Sequence, residues 1–140
     1  MSLAVGLVSL VYGVLQTLGK DPFDWENPYS PVFGFLGNPN FQSSFIALTA
    51  ASISGYILHK NSTTKVRFSS LLIFLFSIVI IFETKSKQGY LVLISGLSVM
   101  IYLWIRSNER LKKFSNLFLS LQILTLIITL FDILQKSPWK

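Results

Sequence analysis

Five long apolar runs determine what this chain can fold into. Of its 140 residues, 51% are hydrophobic and only 13% are charged, whereas a soluble domain carries about 25% charged residues. Such a chain cannot cover its surface with polar groups, so we expect a membrane protein. The runs lack the period-two alternation of a transmembrane strand, so each one predicts a helix. They cover residues 3–18, 41–58, 68–82, 89–105 and 114–134.

These runs predict an all-α fold, a polytopic membrane helix bundle of about five transmembrane helices. A loop over residues 19–40 would lie on the outer surface. A helix needs roughly 20 residues to cross the hydrocarbon core, so the first and third runs are short. We interpret residues 1–140 as a single membrane domain. Because the chain opens inside an apolar run and stops soon after another, we expect it to be a fragment of a larger polytopic protein.

The basic residues predict an orientation. Of the twelve Lys and Arg residues, three lie in the loop 59–67 and four in the loop 106–113. Alternate crossing places both loops on one side, and short loops rich in Lys and Arg face the cytoplasm. Residues 19–40 and 83–88 then lie on the outer side. The basic residues form no helix face, so we expect membrane lipids and not nucleic acid as partners.

Small and polar residues form stripes on the first two predicted helices. The stripe on the first run is most simply packing with one interhelical hydrogen bond, because its members recur at helical spacing. The series on the second run has the small-xxx-small spacing that allows two helices to approach closely. The first stripe is Gly6, Ser9, Gly13 and Gln16, and the second is Ala47, Ala51 and Gly55.

The fifth run carries a polar stripe of Gln122, Thr125, Thr129 and Asp132. A carboxylate in a membrane span costs free energy and usually faces a cavity or a partner. Two interpretations of Asp132 stay open. It either pairs with Lys136, four residues further on, or lines a cavity.

The segment Gly-Asn-Pro-Asn at residues 37–40 joins the outer loop to the second run. Pro39 disfavours a helical conformation at Asn38. Asn40 is placed to cap the next helix through an oxygen that accepts from the amides near Gln42 or Ser43. The segment is either a turn with a helix cap or a turn that also shapes the wall of a cavity.

Lys85 and Lys87 lie on the predicted outer side, against the orientation rule. They either anchor the chain at the membrane interface or bind an anion. The free amides of a helix that begins at Gly89 would favour negative charge, and a lipid-linked phosphate would suit that position. His59 is the only histidine and there is no cysteine, so a catalytic triad or a metal site lacks the residues it needs.

Three short motifs, in order along the chain, resemble those of a known family. Residues 16–22 form a Gln-x-x-Gly-x-Asp-Pro element, and Gly-Asn-Pro-Asn at 37–40 opens the second run. Residues 84–89 stand where a Thr-x-Ser-Arg-Gly-like element opens a later span. Together with the topology, these motifs resemble the O-antigen ligase and O-antigen polymerase family of bacterial membrane glycosyltransferases over nearly the whole chain.

The resemblance implies transfer of a glycan from an undecaprenyl diphosphate carrier to a lipid or glycan acceptor. The reaction would take place on the outer face of the bacterial inner membrane. No metal, nucleotide or other cofactor is implied, because the diphosphate is the leaving group. Lys87, with Lys85, would bind the carrier diphosphate. The residues expected to shape the cavity are Asn38, Asn40, Gln16 and Asp132.

The chain departs from the family pattern in two ways. Lys87 stands where the family has Arg, and Gln88 precedes Gly89. A lysine holds phosphate as a point charge and lacks the bidentate contact of an arginine. The family's catalytic His and Arg lie in a large outer loop that would begin after Leu134, so we expect no ligase activity from these residues alone. The alternative is a small non-catalytic multispan protein, such as a transport or assembly subunit, and the oligomeric state stays open.

Overall fold

The computed structural model describes residues 3–23, 30–35 and 37–135, with side chains described as far as residue 127. The described residues form five α-helices and no strand, which confirms the all-α prediction. A 3₁₀ turn at Lys112–Phe114 precedes the last helix. The helices are α1 (Leu3–Thr17), α2 (Pro39–Leu58), α3 (Thr64–Glu83), α4 (Lys87–Ser107) and α5 (Ser115–Gln135).

Three of these helices, α2, α3 and α4, are long and apolar enough to cross a membrane. The third run is not short, because α3 has 20 residues and therefore extends about 30 Å. It begins earlier than predicted, where the Thr63 hydroxyl accepts a hydrogen bond from the Val66 amide. Helix α1 has 15 residues. That all five helices cross a membrane stays a prediction.

Two helix starts differ from the prediction. The N-cap of α2 is Asn38, not Asn40: Asn38 is extended, and its Oδ1 accepts from the Asn40 amide at 2.8 Å. Pro39 follows at the first helical position, where its fixed φ suits the helix and its missing amide is not needed. Helix α4 begins at Lys87, two residues before Gly89.

The described residues up to Met100 form one compact unit. Its core joins α1, α2, α3 and the segment between α1 and α2. All four members of the predicted stripe on α1 are buried against this core. The stripe is buried because its small and polar residues cannot be exposed to lipid without losing packing or hydrogen bonds. The core residues are Leu10, Val32, Ile46, Ala47, Ile80 and Ile81.

Two of the three small residues of the α2 series, Ala51 and Gly55, lie against α4, and the close helix approach that their spacing predicted is found there. Ala51 faces Gly96, and Gly55 lies under the Met100 side chain. The missing side chains let the two helix backbones come close, which increases dispersion contacts in an environment where the hydrophobic effect is weak.

Large apolar side chains cover the outside of α3 and α4. Phe76 is 55% exposed, Leu91 is 66% exposed and Ile94 is 63% exposed. Soluble proteins rarely expose contiguous apolar surface on this scale. These faces are suited to contact with lipid, as expected of a membrane protein.

The described residues from 101 to 135 form a second compact unit. After α4 the chain turns at Asn108, whose carbonyl oxygen accepts from the Lys112 amide at 2.8 Å. In α5 the Thr125 hydroxyl donates to the Leu121 carbonyl oxygen at 2.9 Å, within its own helix. The Asp132 side chain and Lys136 lie outside the described part, so both interpretations of Asp132 stay predictions.

Candidate functional site

Gln16, in the last turn of α1, holds the segment that precedes α2. Its Oε1 accepts from the Phe33 amide at 3.2 Å and from the Gly34 amide at 2.9 Å. Its Nε2 donates to Asp21 Oδ2 at 2.7 Å. Gln16 is buried, and it supplies an acceptor to two backbone amides that are themselves buried. The Gln16 side chain therefore holds two parts of the outer-loop segment at the end of α1. One part is Asp21, near the start of the segment, and the other is the backbone at Phe33 and Gly34, near its end.

Asp21 is the charged member of this cluster. Tyr12 donates to Asp21 Oδ1 at 2.9 Å, and the Phe23 amide donates to the same oxygen at 3.0 Å. Desolvation by itself would raise the pKa of Asp21. The hydrogen bonds from Phe23, Gln16 and Tyr12 outweigh that effect and lower the pKa below its ordinary value of 3.8, because they stabilise the ionised form. The carboxylate is therefore charged at neutral pH.

Gln42, in the first turn of α2, is a second buried amide side chain. Its Oε1 accepts from the Ser9 hydroxyl at 2.9 Å, and its Nε2 donates to the Ser9 carbonyl oxygen at 3.0 Å. This pair supplies the interhelical hydrogen bonding predicted for the α1 stripe. Gln42 also lies against Gly34, whose φ of +66° and lack of Cβ leave room for it.

Gln42 was not among the predicted site residues. The sequence did indicate that Gln42 needs a hydrogen-bond partner, since burying an unpaired glutamine in an apolar run costs free energy of desolvation. Its partner lies 33 residues away, on another helix, so helical periodicity within α2 could not reveal the pair.

Asn40 joins the start of α2 to the start of α4. Its Oδ1 accepts from the Ser86 hydroxyl at 2.7 Å, so the prediction that this oxygen caps its own helix is wrong. One turn further along α2, Ser43 packs against Gly89. A Cβ on Gly89 would lie 2.5 Å from the Ser43 Cβ, which shows how closely the two helices approach here.

Lys85 and Lys87 flank Ser86. Lys85 has a left-handed backbone with φ 54°, a conformation that costs a residue with a Cβ roughly 1–2 kcal/mol. The turn is held from α3, since the Thr84 hydroxyl donates to the Ile81 carbonyl oxygen at 2.6 Å and accepts from the Ser86 amide at 3.3 Å. Both lysine side chains are exposed, so both are accessible from outside the protein.

The same end of the unit therefore holds five of the six predicted site residues. The sixth, Asp132, lies outside the side chains described. The Ser30 hydroxyl also donates to the Glu83 carbonyl oxygen at 3.2 Å, which brings the outer-loop segment to the end of α3. The five residues are Gln16, Asn38, Asn40, Lys85 and Lys87.

This end places two ammonium groups beside the start of a helix, and that Lys85 and Lys87 bind an anion stays a prediction. Lys87 occupies the first position of α4, where backbone amides lack helical partners and the helix dipole favours negative charge. Lys85 adds a second ammonium group two residues earlier. Among the described residues, no group of three His, Asp or Glu side chains could hold a metal ion.

No protein-family model, curated protein or solved structure gives a significant match to this chain. The resemblance to the O-antigen ligase and polymerase family therefore rests on the motifs at residues 16–22, 37–40 and 84–89.

Proposed function

We propose that this chain is part of an O-antigen ligase-like or polymerase-like glycosyltransferase. It would move glycan from an undecaprenyl diphosphate carrier to a lipid or glycan acceptor. The observation that carries the proposal is the 2.7 Å hydrogen bond between Asn40 and Ser86, because it joins two of the three motifs across 46 residues of sequence. The third motif, at residues 16–22, lies near the same turn, because its Gln16 accepts a hydrogen bond from the Gly34 amide.

In this proposal Lys87 binds the carrier diphosphate. The phosphate oxygens would meet the ammonium group of Lys87 and the free amides at the start of α4. Negative charge builds up on the diphosphate as the bond to the sugar breaks, so a fixed positive charge there stabilises the transition state. Lys85 contributes a second charge. Gln16, Asn38 and Asn40 hold the surrounding backbone in place.

Substitution of Lys87 in the full-length protein tests this role. We expect Lys87→Ala to abolish glycan transfer, scored as loss of the glycan ladder on a gel. Lys87→Arg should retain transfer, because a guanidinium group also binds phosphate. Lys60→Ala, at the opposite end of α2, serves as the matched control and should leave the ladder unchanged.

A ladder of wild-type length and intensity from Lys87→Ala would remove the proposed role of this residue. It would favour the alternative, a non-catalytic multispan subunit. The reading frame downstream of Lys140 separates the two functions further. Several more spans and an outer loop rich in Arg and His favour the enzyme, whereas a stop codon with a stable product favours the subunit.

We further propose that all five helices cross the bacterial inner membrane. Loops 59–67 and 106–113 would face the cytoplasm, and residues 19–40 and 83–88 the outer side. The chain has no cysteine, so single cysteines can report sidedness without background. Gln88→Cys should react with a membrane-impermeant maleimide added to intact cells, and Ser62→Cys should react only after lysis. The reverse pattern would overturn the orientation.

A further inference from the structure

A cluster of positive charge lies at residues 106–113, from the end of α4 to the 3₁₀ turn before α5, and we call this segment the basic turn. It holds four of the twelve basic residues of the chain and one acidic residue, Glu109. Four positive charges and one negative charge give a net charge of +3, and these side chains are all exposed. The cations are Arg106, Arg110, Lys112 and Lys113.

Asn108 fixes the backbone of the basic turn. Its carbonyl oxygen accepts from the Leu111 amide at 2.9 Å and from the Lys112 amide at 2.8 Å. Its Oδ1 accepts from the Arg110 amide at 3.1 Å. The Ser115 hydroxyl joins the turn to α5 by donating to the Lys112 carbonyl oxygen at 2.7 Å. An anion that binds these cations therefore meets an ordered backbone and does not have to order it.

The cations of the basic turn keep binding capacity for an anion. Among the described side chains, none of the four pairs with a carboxylate. Arg106 donates from Nη1 to the Tyr102 hydroxyl at 2.9 Å, and its guanidinium group has several more N–H donors. The Lys113 ammonium group lies 5.0 Å from the centroid of the Phe114 ring, and such a cation–π contact leaves the positive charge in place.

The helix ends explain only part of this charge. Arg106 lies in the last turn of α4, where the helix dipole favours a cation. Lys112 and Lys113 come directly before α5, where the dipole favours an anion, so both lysines oppose it. The first turn of α5 has no acidic residue. An anion bound beside the two lysines would offset this repulsion.

The surroundings of the basic turn favour a lipid as the source of that anion. Apolar side chains come close to it on both sides, since Leu103 on α4 is 51% exposed and Leu117 on α5 is 58% exposed. Tyr102 and Trp104 lie in the last two turns of α4, and such residues favour the membrane interface. A nucleic acid or an acidic protein would bring polar groups against the leucines. A phospholipid brings phosphate to the cations and hydrocarbon to the leucines.

We propose that the basic turn binds the headgroup phosphate of an anionic phospholipid. Clusters of about four or more Lys and Arg residues beside the end of a membrane helix bind anionic headgroups, and each residue adds to the affinity. The inference rests on the proposed crossing of the membrane by α4 and α5 and not on glycan transfer. It goes beyond the proposed orientation, because the orientation rule states which side a basic loop faces and not which lipid it selects.

Trp104, in the last turn of α4, can report on the lipids beside the basic turn. The chain has three tryptophans, so Trp25→Phe and Trp139→Phe leave Trp104 as the only one. This full chain is reconstituted in vesicles of phosphatidylcholine that contain a rising proportion of a brominated lipid, either phosphatidylglycerol or phosphatidylcholine. Quenching of the Trp104 fluorescence by bromine then gives the relative affinity of the two lipids, which share a phosphodiester group and differ in net charge.

We expect phosphatidylglycerol to bind beside Trp104 about tenfold more strongly than phosphatidylcholine. Lys112→Gln with Lys113→Gln should reduce this preference to about twofold, whereas Lys112→Arg with Lys113→Arg should keep it. Lys20→Gln with Lys85→Gln removes two exposed lysines outside the basic turn and should also keep it. Higher salt should weaken the preference because it screens exposed charges, which tests the proposal without a substitution in the basic turn.

Equal quenching by the two lipids before any lysine is changed would overturn the proposal. An unchanged preference after the loss of Lys112 and Lys113, or an equal loss in the Lys20 and Lys85 control, would also overturn it. Inorganic phosphate added at constant ionic strength should leave the preference intact, and its disappearance would assign the turn to a soluble anion. Absence of quenching by phosphatidylcholine would overturn the membrane location itself, and the proposal with it. None of these measurements depends on glycan transfer.

Discussion

Replacing Gln16 by Leu removes the acceptor that two buried backbone amides share. The amides of Phe33 and Gly34 donate to Gln16 Oε1 at 3.2 and 2.9 Å. A buried donor left without a partner costs about 1–3 kcal/mol, so the two together cost about 2–6 kcal/mol. The segment can limit this loss by detaching into water. The expected result is therefore local opening of the residues before α2 and not loss of the helices.

Hydrogen exchange measured by mass spectrometry reports this opening. A loss of about 2 kcal/mol, at about 1.4 kcal/mol per factor of ten, predicts roughly 30-fold faster exchange of the amides at 33 and 34. Gln16→Glu keeps an acceptor for both amides, but it places a second carboxylate beside the ionised Asp21 and should also loosen the segment. Gln88→Leu, the same change at an exposed position, is the control.

Exchange in Gln16→Leu within about threefold of wild type would refute the reasoning, because a difference below about 0.7 kcal/mol means that the two bonds do not hold the segment. Equal acceleration in Gln88→Leu would also refute it. That result would assign the effect to added apolar surface and not to the lost acceptor.

Three further predictions concern the same end of the unit. The lowered pKa of Asp21 means that its contribution to stability is complete at neutral pH and is lost as the pH falls below about 3.8; Asp21→Asn should flatten this part of a plot of unfolding temperature against pH, and an unchanged plot would contradict the assignment. Asn38→Ala removes the α2 cap and should cost about 1 kcal/mol of unfolding free energy, whereas Asn38→Ser should retain most of it; equal losses in both would argue against capping. Gly89→Ala forces a Cβ to within 2.5 Å of the Ser43 Cβ and should cost about 1–3 kcal/mol; adding Ser43→Gly should recover part of the loss, and no recovery would place the strain elsewhere.

Much of the fold could be predicted because hydrophobic periodicity reports which face of a helix is buried. The stripe from Gly6 to Gln16 was expected to avoid lipid, and it is buried. The close approach at Ala51 and Gly55 also follows from residue size alone. Helix ends were less predictable, because an end depends on a cap. Asn38 and Asn40 both have the right side chain, and only the backbone at Asn38 is extended.

The sequence pointed to several residues that the structure brings to one end of the unit, but it did not reveal their contacts. Asn40 was expected to bond within its own turn, but it accepts from Ser86. Gln42 was not predicted to be a site residue, and it is the partner of Ser9. In both cases the partner lies more than 30 residues away in sequence, where spacing rules for a single helix no longer apply.

The sequence by itself determined that this chain is helical and suited to a membrane. The chain has low charge and five continuous apolar runs. In lipid, such a run satisfies its backbone hydrogen bonds by forming a helix. Only the tertiary structure decided which polar groups meet, because a polar side chain can satisfy its hydrogen bonds with any partner that packing brings within about 3 Å. The packing of α1, α2 and α4 brings these polar groups together at one end of the unit. They are Gln16, Gln42, Asn40 and Ser86.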